Sequence, residues 1–242
     1  MFRFIGFYDY TVVLTYLSLV SSVFGITQAF QGRYFLAICC LALSGLCDAF
    51  DGRVARTKKN RSSDERNFGI QLDSLCDTVC FGVFPALLCY KMIGTCDGKA
   101  LHILALAIMF FYSLCAVIRL AFFNVLEINR QKEEGGGCNK NYRGLPVTSI
   151  SVILPLFFLL KFLIPDMAFH VLLYVVPAVV GFLFISDFKL PKPGLRGILI
   201  MVVIVAMAVT GIFLFLKLKK PKGEAADTIE ETIEALYEAN YS

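Results

Sequence analysis

The chain has 242 residues, of which 57% are hydrophobic and only 17% charged, with a net charge of +4 and a mean hydropathy of +0.71. Apolar runs of about 20 residues recur along it, which excludes a soluble globular domain and predicts an all-α, polytopic integral membrane protein of six to seven transmembrane helices. The nine cysteines are odd in number and include no C-x-x-C pair, so they read as small apolar packing residues rather than zinc ligands or a disulfide framework.

Taken in order, Met1 to Tyr10 is an aromatic-rich lead-in carrying Arg3 and Asp9, and no cleavable leader is expected before the first span. The first span covers Thr11 to Phe30 and closes on Gln31-Gly32-Arg33. The second, Tyr34 to Ala55, carries Asp48 and Asp51 near its end. A polar, basic segment follows from Arg56 to Asn67, with Arg56, Lys58, Lys59, Arg61 and Arg66 against Asp64 and Glu65. The third span, Phe68 to Tyr90, holds Asp73 and Asp77 in its first half. Lys91 to Lys99 is a turn, and the fourth span runs from Ala100 to Val125, interrupted by Arg119. Glu127 to Arg143 reads as a flexible polar loop around Gly135-Gly136-Gly137. Leu145 to Ile164 and Met167 to Ile185 form the fifth and sixth spans, parted by Pro165-Asp166. A connector, Phe188 to Gly197, leads to a seventh apolar stretch, Ile198 to Leu216. The tail, Glu224 to Ser242, could form a short amphipathic helix through Ile229, Ile233 and Leu236. The expected division is a membrane domain at 1–193, an additional transmembrane stretch at 194–217 and a polar tail at 218–242. His102 and His170 lie far apart, which argues against a histidine dyad.

Lysines and arginines in the short loops set the expected orientation. Arg3, the Arg56–Asn67 segment, the Glu127–Arg143 loop and the Phe188–Gly197 connector share one side, leaving Arg33, Lys91 and Lys99 on the other. Both aspartate pairs therefore face the cytoplasm. Seven spans would send the basic Lys217–Lys222 cluster to the opposite side, a conflict the loop counts alone do not resolve.

Those two pairs carry the chemistry. Asp48 and Asp51 are three residues apart, Asp73 and Asp77 four apart, so each pair occupies one helix face within a turn. Carboxylates in a membrane span are costly and mark function by default. Four that converge need cations between them, and oxygen-only ligands favour Mg²⁺ or Mn²⁺, with Ca²⁺ also compatible. Gly52 and Gly69 lack a Cβ and admit a ligand or a neighbouring helix close to the backbone. Ala55 keeps the face beyond Asp51 open, and Arg56 offers a rigid fork of donors for a diphosphate.

With its spacing the pattern is Asp48-x2-Asp51-Gly52-x2-Ala55-Arg56, twelve residues, then Gly69-x3-Asp73-x3-Asp77. It resembles the signature of the CDP-alcohol phosphotransferases in all eight positions, with a linker about four residues longer than usual. The resemblance implies that fold and two divalent ions held by Asp48, Asp51, Asp73 and Asp77, with Asp77 also the general base. It implies a CDP site lined by Gly52, Ala55, Arg56 and Gly69, and attack by an alcohol on the lipid-side phosphorus with release of CMP. A homodimer is implied by the family alone. DSLCDTVCFGVFPAL (Asp73 to Leu87), RLAFFNV (Arg119 to Val125), Gly144-Leu145-Pro146 and FLFISDFKLPKP (Phe182 to Pro193) resemble the phosphatidylserine synthase branch. There the donor is CDP-diacylglycerol and the acceptor L-serine, and the expected setting is a bacterial cell membrane. Arg119, Asn124 and Arg143, at cytoplasmic span ends, are the candidate contacts to the serine carboxylate or the donor phosphates.

Plainer readings stand beside these. The aspartates could be salt-bridged to Arg53 and Arg56, although two arginines cannot neutralise four acids. Arg119 could snorkel from a span end, Asn124 could cap a helix, and Arg143 with Gly144-Leu145-Pro146 could merely set a helix entry. The basic segment could bind anionic headgroups. Two rival functions remain: the same chemistry on glycerol 3-phosphate or inositol phosphate, and a divalent-cation channel or transporter that uses the aspartates as a filter.

Overall fold

The computed structural model describes residues 6–55, 57–58, 62–94, 98–132, 141–191 and 195–219. Arg3, Arg56, the Gly135-Gly136-Gly137 run and the Glu224–Ser242 tail lie outside the described residues. Eight α-helices form the described frame: α1 (Val13–Phe30), α2 (Tyr34–Ala55), α3 (Ser63–Asp77), α4 (Phe84–Ile93), α5 (Lys99–Lys132), α6 (Ile150–Leu160), α7 (Asp166–Ile185) and α8 (Leu195–Lys219). Among the described residues five stretches are long and apolar enough to cross a membrane, one of them the continuous Ser63–Ile93 run, and two shorter apolar helices lie at Val147–Leu160 and Leu199–Leu214. The expected polytopic, all-helical membrane architecture is what the chain adopts.

Small and hydroxyl-bearing residues, not large apolar ones, line the buried face of α1. Along α1, Thr15, Ser18, Ser22, Gly25 and Ala29 are buried, whereas Val13, Leu17, Val20 and Phe24 are exposed. This is a helical stripe of small residues, and small residues let membrane helices approach closely. Across the α1–α2 contact Ser18 Oγ lies 2.6 Å from Ser44 Oγ, Ser22 Oγ donates to Ser44 Oγ at 2.9 Å and Ser21 Oγ donates to the Cys40 carbonyl at 2.9 Å. At Gly25 a Cβ would clash with the buried Phe84 ring, so a side chain there would push α4 away. The aromatic centre of the core, Phe81, Phe84, Tyr112 and Phe184, joins α4, α5 and α7.

Several boundaries differ from the sequence reading. Helix α3 starts at Ser63, five residues before the expected Phe68, because Ser62 and Glu65 form a reciprocal capping box. The segment read as a polar loop is thus partly helix. Helix α5 continues past Val125 to Lys132, so Glu127 to Lys132, all permissive residues ahead of the glycine run, extend the helix rather than begin a loop. The fifth span is a 3₁₀ turn at Val147–Ser149 followed by the short α6. A two-stranded ribbon joins β1 (Asn141–Arg143) to β2 (Lys189–Pro191), antiparallel with Arg143 opposite Lys189. It ties the connector after α5 to that after α7. Gly144 adopts φ +68 beside it, a conformation that favours glycine, and its N–H donates to the Phe188 carbonyl at 2.6 Å. Helix α8 packs on α6 and α2, burying Ala208 and Ile212.

The third span contains an irregularity that the sequence announces through Pro85. Proline lacks an N–H, and its ring crowds the carbonyl one turn earlier, here that of Phe81. Thr78–Val83 widens into a π-helical segment between α3 and α4. The carbonyls it exposes are served from α5: Tyr112 Oη donates to Phe81 O at 2.6 Å, and Ser113 Oγ donates to Gly82 O at 3.1 Å. Such re-satisfaction by a neighbouring helix is what a broken membrane helix needs.

Candidate metal centre

Asp77 is the last residue of α3, immediately before the π-helical segment, a form of backbone that recurs at functional sites. One helical turn earlier is Asp73, and facing both is Asp48 from α2. Asp48, Asp73 and Asp77 each place a carboxylate oxygen within 4.8 Å of the others. Asp51 completes the group from a buried position, where Thr15 Oγ1 of α1 donates to its Oδ2 at 3.3 Å. It interacts with Asp73 and Asp48, while Asp77 feels all three of the other carboxylates. Both sequence pairs therefore contribute to one cluster of three carboxylates, with Asp51 beside it.

Like charges at about 5 Å repel by about 3 kcal/mol per pair at an effective dielectric near 20. Among the described residues no ion pair relieves this: the ion pairs are Lys58–Asp9 and Lys58–Glu65. Arg53, one of the two arginines weighed as a neutralising partner, lies over the Phe50 ring at 5.7 Å. Three convergent carboxylates without nitrogen or sulfur donors suit a hard divalent cation such as Mg²⁺ or Mn²⁺, and the donor set fits the expected metal. Around it, Gly52 is exposed beside Asp51, Ala55 ends α2 half-buried, and Gly69 is half-buried one turn before Asp73.

Contacts remote in sequence fasten the segment after α2 and the start of α3 to the residues before α1. Lys58 Nζ meets Asp9 Oδ2 at 2.8 Å and Glu65 at 3.3 Å, and Tyr10 Oη lies 3.1 Å from Thr57 Oγ1. Phe7 packs edge-on against Phe68, with ring centroids 5.5 Å apart. Lys58, together with the Thr11 side chain and backbone N–H, holds the Asp9 carboxyl at about 2, against an ordinary 3.8. Lys58 is thus engaged by two acids and forms a clasp between the starts of α1 and α3.

The other candidates are placed unevenly. Arg119 is buried, stacks on Phe123 at 4.3 Å, and donates at 3.4 Å to the carbonyls of Phe184 and Gly144. It does not snorkel; it binds α5 to the end of α7 and to the ribbon. Asn124 is no helix cap, since α5 runs on to Lys132; its Oδ1 accepts a 2.6 Å bond from Ser74 Oγ of α3. Arg143 lies in the ribbon, and its side chain is outside the described residues, as is Arg56. Sequence reasoning missed Thr15 and Ser74. The only signals were a hydroxyl in the small-residue stripe of α1 and the serine inside DSLCD.

A profile of the family described as CDP-alcohol phosphatidyltransferase matches residues 11–183. Among curated relatives, an archaetidylserine synthase of Methanothermobacter thermautotrophicus is 35% identical over 150 residues, 62% of this chain and 58% of that one. A CDP-diacylglycerol–serine O-phosphatidyltransferase of Saccharomyces cerevisiae is 41% identical over 114 residues, 46% of this chain and 38% of the yeast protein. One of the same name from Methanocaldococcus jannaschii is 31% identical over 200 residues, covering 81% of this chain and 83% of its own. The chain thus spans 58% and 38% of the first two and most of the third.

Proposed function

The chain belongs to the CDP-alcohol phosphatidyltransferase family, and from that membership we propose that it transfers a phosphatidyl group from CDP-diacylglycerol to L-serine, giving phosphatidylserine and CMP. The observation that carries this reading is the convergence of Asp48, Asp73 and Asp77 within 4.8 Å, with Asp51 at their side. The choice of donor and acceptor follows the names of the relatives, archaetidylserine synthase and CDP-diacylglycerol–serine O-phosphatidyltransferase.

In this reading Asp48, Asp51, Asp73 and Asp77 hold two divalent ions. When bound, these would offset the negative charge of the donor's diphosphate and of the departing CMP. Gly52, Ala55 and Gly69 line the nucleotide side, and Arg56 pairs with a phosphate. The serine hydroxyl oxygen attacks the phosphorus that bears the diacylglycerol, the anhydride bond to CMP breaks, and Asp77 takes the hydroxyl proton. Arg143 and Asn124 are the contacts assigned to the acceptor or donor phosphates. Arg119 supports them through the backbone carbonyls it binds, an engagement that disfavours its service to a phosphorylated acceptor. The catalytic domain is residues 1–193, to which α8 and the tail are additions. The aspartates face the cytoplasm of the cell membrane, and the enzyme works as a homodimer.

Membranes containing the protein, given CDP-diacylglycerol and Mn²⁺ or Mg²⁺, should release CMP and label lipid with serine, but not with glycerol 3-phosphate or inositol phosphate. Product with a phosphorylated acceptor alone would keep the chemistry and overturn the acceptor. No CMP with any alcohol, from folded protein with metal present, would overturn the transferase and favour the ion-pathway reading.

A further inference from the structure

Between Asp73 and Asp77, on the turn of α3 that carries both carboxylates, stands Ser74. Its hydroxyl donates to Asn124 Oδ1 at 2.6 Å, a bond between residues 50 positions apart that joins α3 to α5. The bond has a chemical consequence for the amide. With Oδ1 occupied, what Asn124 retains for a ligand is its pair of N–H donors. Both residues are half-buried, so the amide stays within reach of a bound molecule. Neither is among the eight positions of the family signature, so neither is committed to the metals or the nucleotide.

An acceptor that carries a carboxylate must approach a centre already holding four acids. It needs donors there, and a free-standing asparagine could equally turn its carbonyl towards the ligand and repel it. Arg119, the nearby cation of α5, is directed to the Phe184 and Gly144 carbonyls. We propose that Ser74 is a positioning residue for acceptor choice: by holding Asn124 Oδ1, it presents the Asn124 amide N–H groups to the carboxylate of the amino-acid acceptor. The inference rests on the serine-transfer reading above and deepens it.

The test is steady-state kinetics on purified full-length protein with serine and serine methyl ester as acceptors, for the wild type, Ser74→Ala, Ser74→Thr, Asn124→Ala and the Ser74→Ala/Asn124→Ala double variant. Thermal unfolding in detergent confirms that each is folded. Ser74→Ala and Asn124→Ala are expected to raise the serine KM about tenfold or more, with kcat and the CDP-diacylglycerol KM within about twofold. Both should lose the wild-type preference for serine over its ester, and Ser74→Thr should keep it. The double variant should be no worse than Asn124→Ala alone, since Ser74 acts through that residue. An unchanged serine KM in Ser74→Ala, a persisting ester discrimination in Asn124→Ala, or additive losses in the double variant would each overturn the inference. A wild-type protein that makes lipid from another acceptor and none from serine overturns the parent reading as well, and is told apart by that result.

Discussion

At the scale of single residues, the proposed function gives the four aspartates unequal duties. In the proposed chemistry Asp77 both holds metal and takes the proton, so Asp77→Asn should lower kcat by about 10²- to 10⁴-fold. Thr15→Val removes one hydrogen bond to Asp51, about 1 kcal/mol, and should cost no more than about tenfold; rates of CMP release from the two variants check the contrast. The aspartates were legible in the sequence because charge inside a span has few innocent explanations. Thr15 and Ser74 were not, because a hydroxyl in a helix can satisfy itself on its own backbone. Thr78 does so on the Ser74 carbonyl at 2.8 Å and Ser186 on that of Phe182 at 2.7 Å. Which hydroxyls turn outward to another helix is decided by packing.

At the scale of elements, the third span shows how local sequence and a distant partner divide the work. Pro85 makes an irregularity necessary, yet the sequence reading drew Phe68 to Tyr90 as one uninterrupted helix. The shape it takes depends on Tyr112, which reaches Phe81 O from α5. Tyr112→Phe leaves that carbonyl without its described side-chain donor and should destabilise the folded protein by about 1 kcal/mol, read as a lower unfolding midpoint in detergent. Because Asp77 immediately precedes the π-helical segment, the same variant should also lower kcat more than its small stability loss explains. The Asp9–Lys58–Glu65 clasp was equally hidden, since Lys58 and Asp9 are 49 residues apart. Helix α2, by contrast, has the bounds read from the sequence, Tyr34–Ala55, because polar residues stop the apolar run at both ends.

At the scale of the whole molecule, hydropathy sufficed for the architecture: a chain so apolar must bury its backbone polar groups in helices to cross a bilayer. The interior was less legible than the spans, because in a membrane bundle lipid and core are both apolar and hydrophobicity no longer distinguishes them. Along α1, small and hydroxyl-bearing residues mark the inside instead. The ribbon escaped notice because its strands lie in separate connectors that only the folded bundle brings together. What the bundle accomplishes is to set Asp48 of α2 against Asp73 and Asp77 of α3 in one cluster. The direct test of that account uses purified protein, CDP-diacylglycerol, Mn²⁺ and serine labelled with ¹⁸O in its hydroxyl. The account predicts the label in the phosphodiester of the lipid product and none in CMP, with incorporation lost in Asp77→Asn. Labelled cytidylyl-serine formed with phosphatidate, in place of CMP and labelled lipid, would put the attack on the other phosphorus, and unabated incorporation in Asp77→Asn would remove that carboxylate from the chemistry; either result contradicts the account.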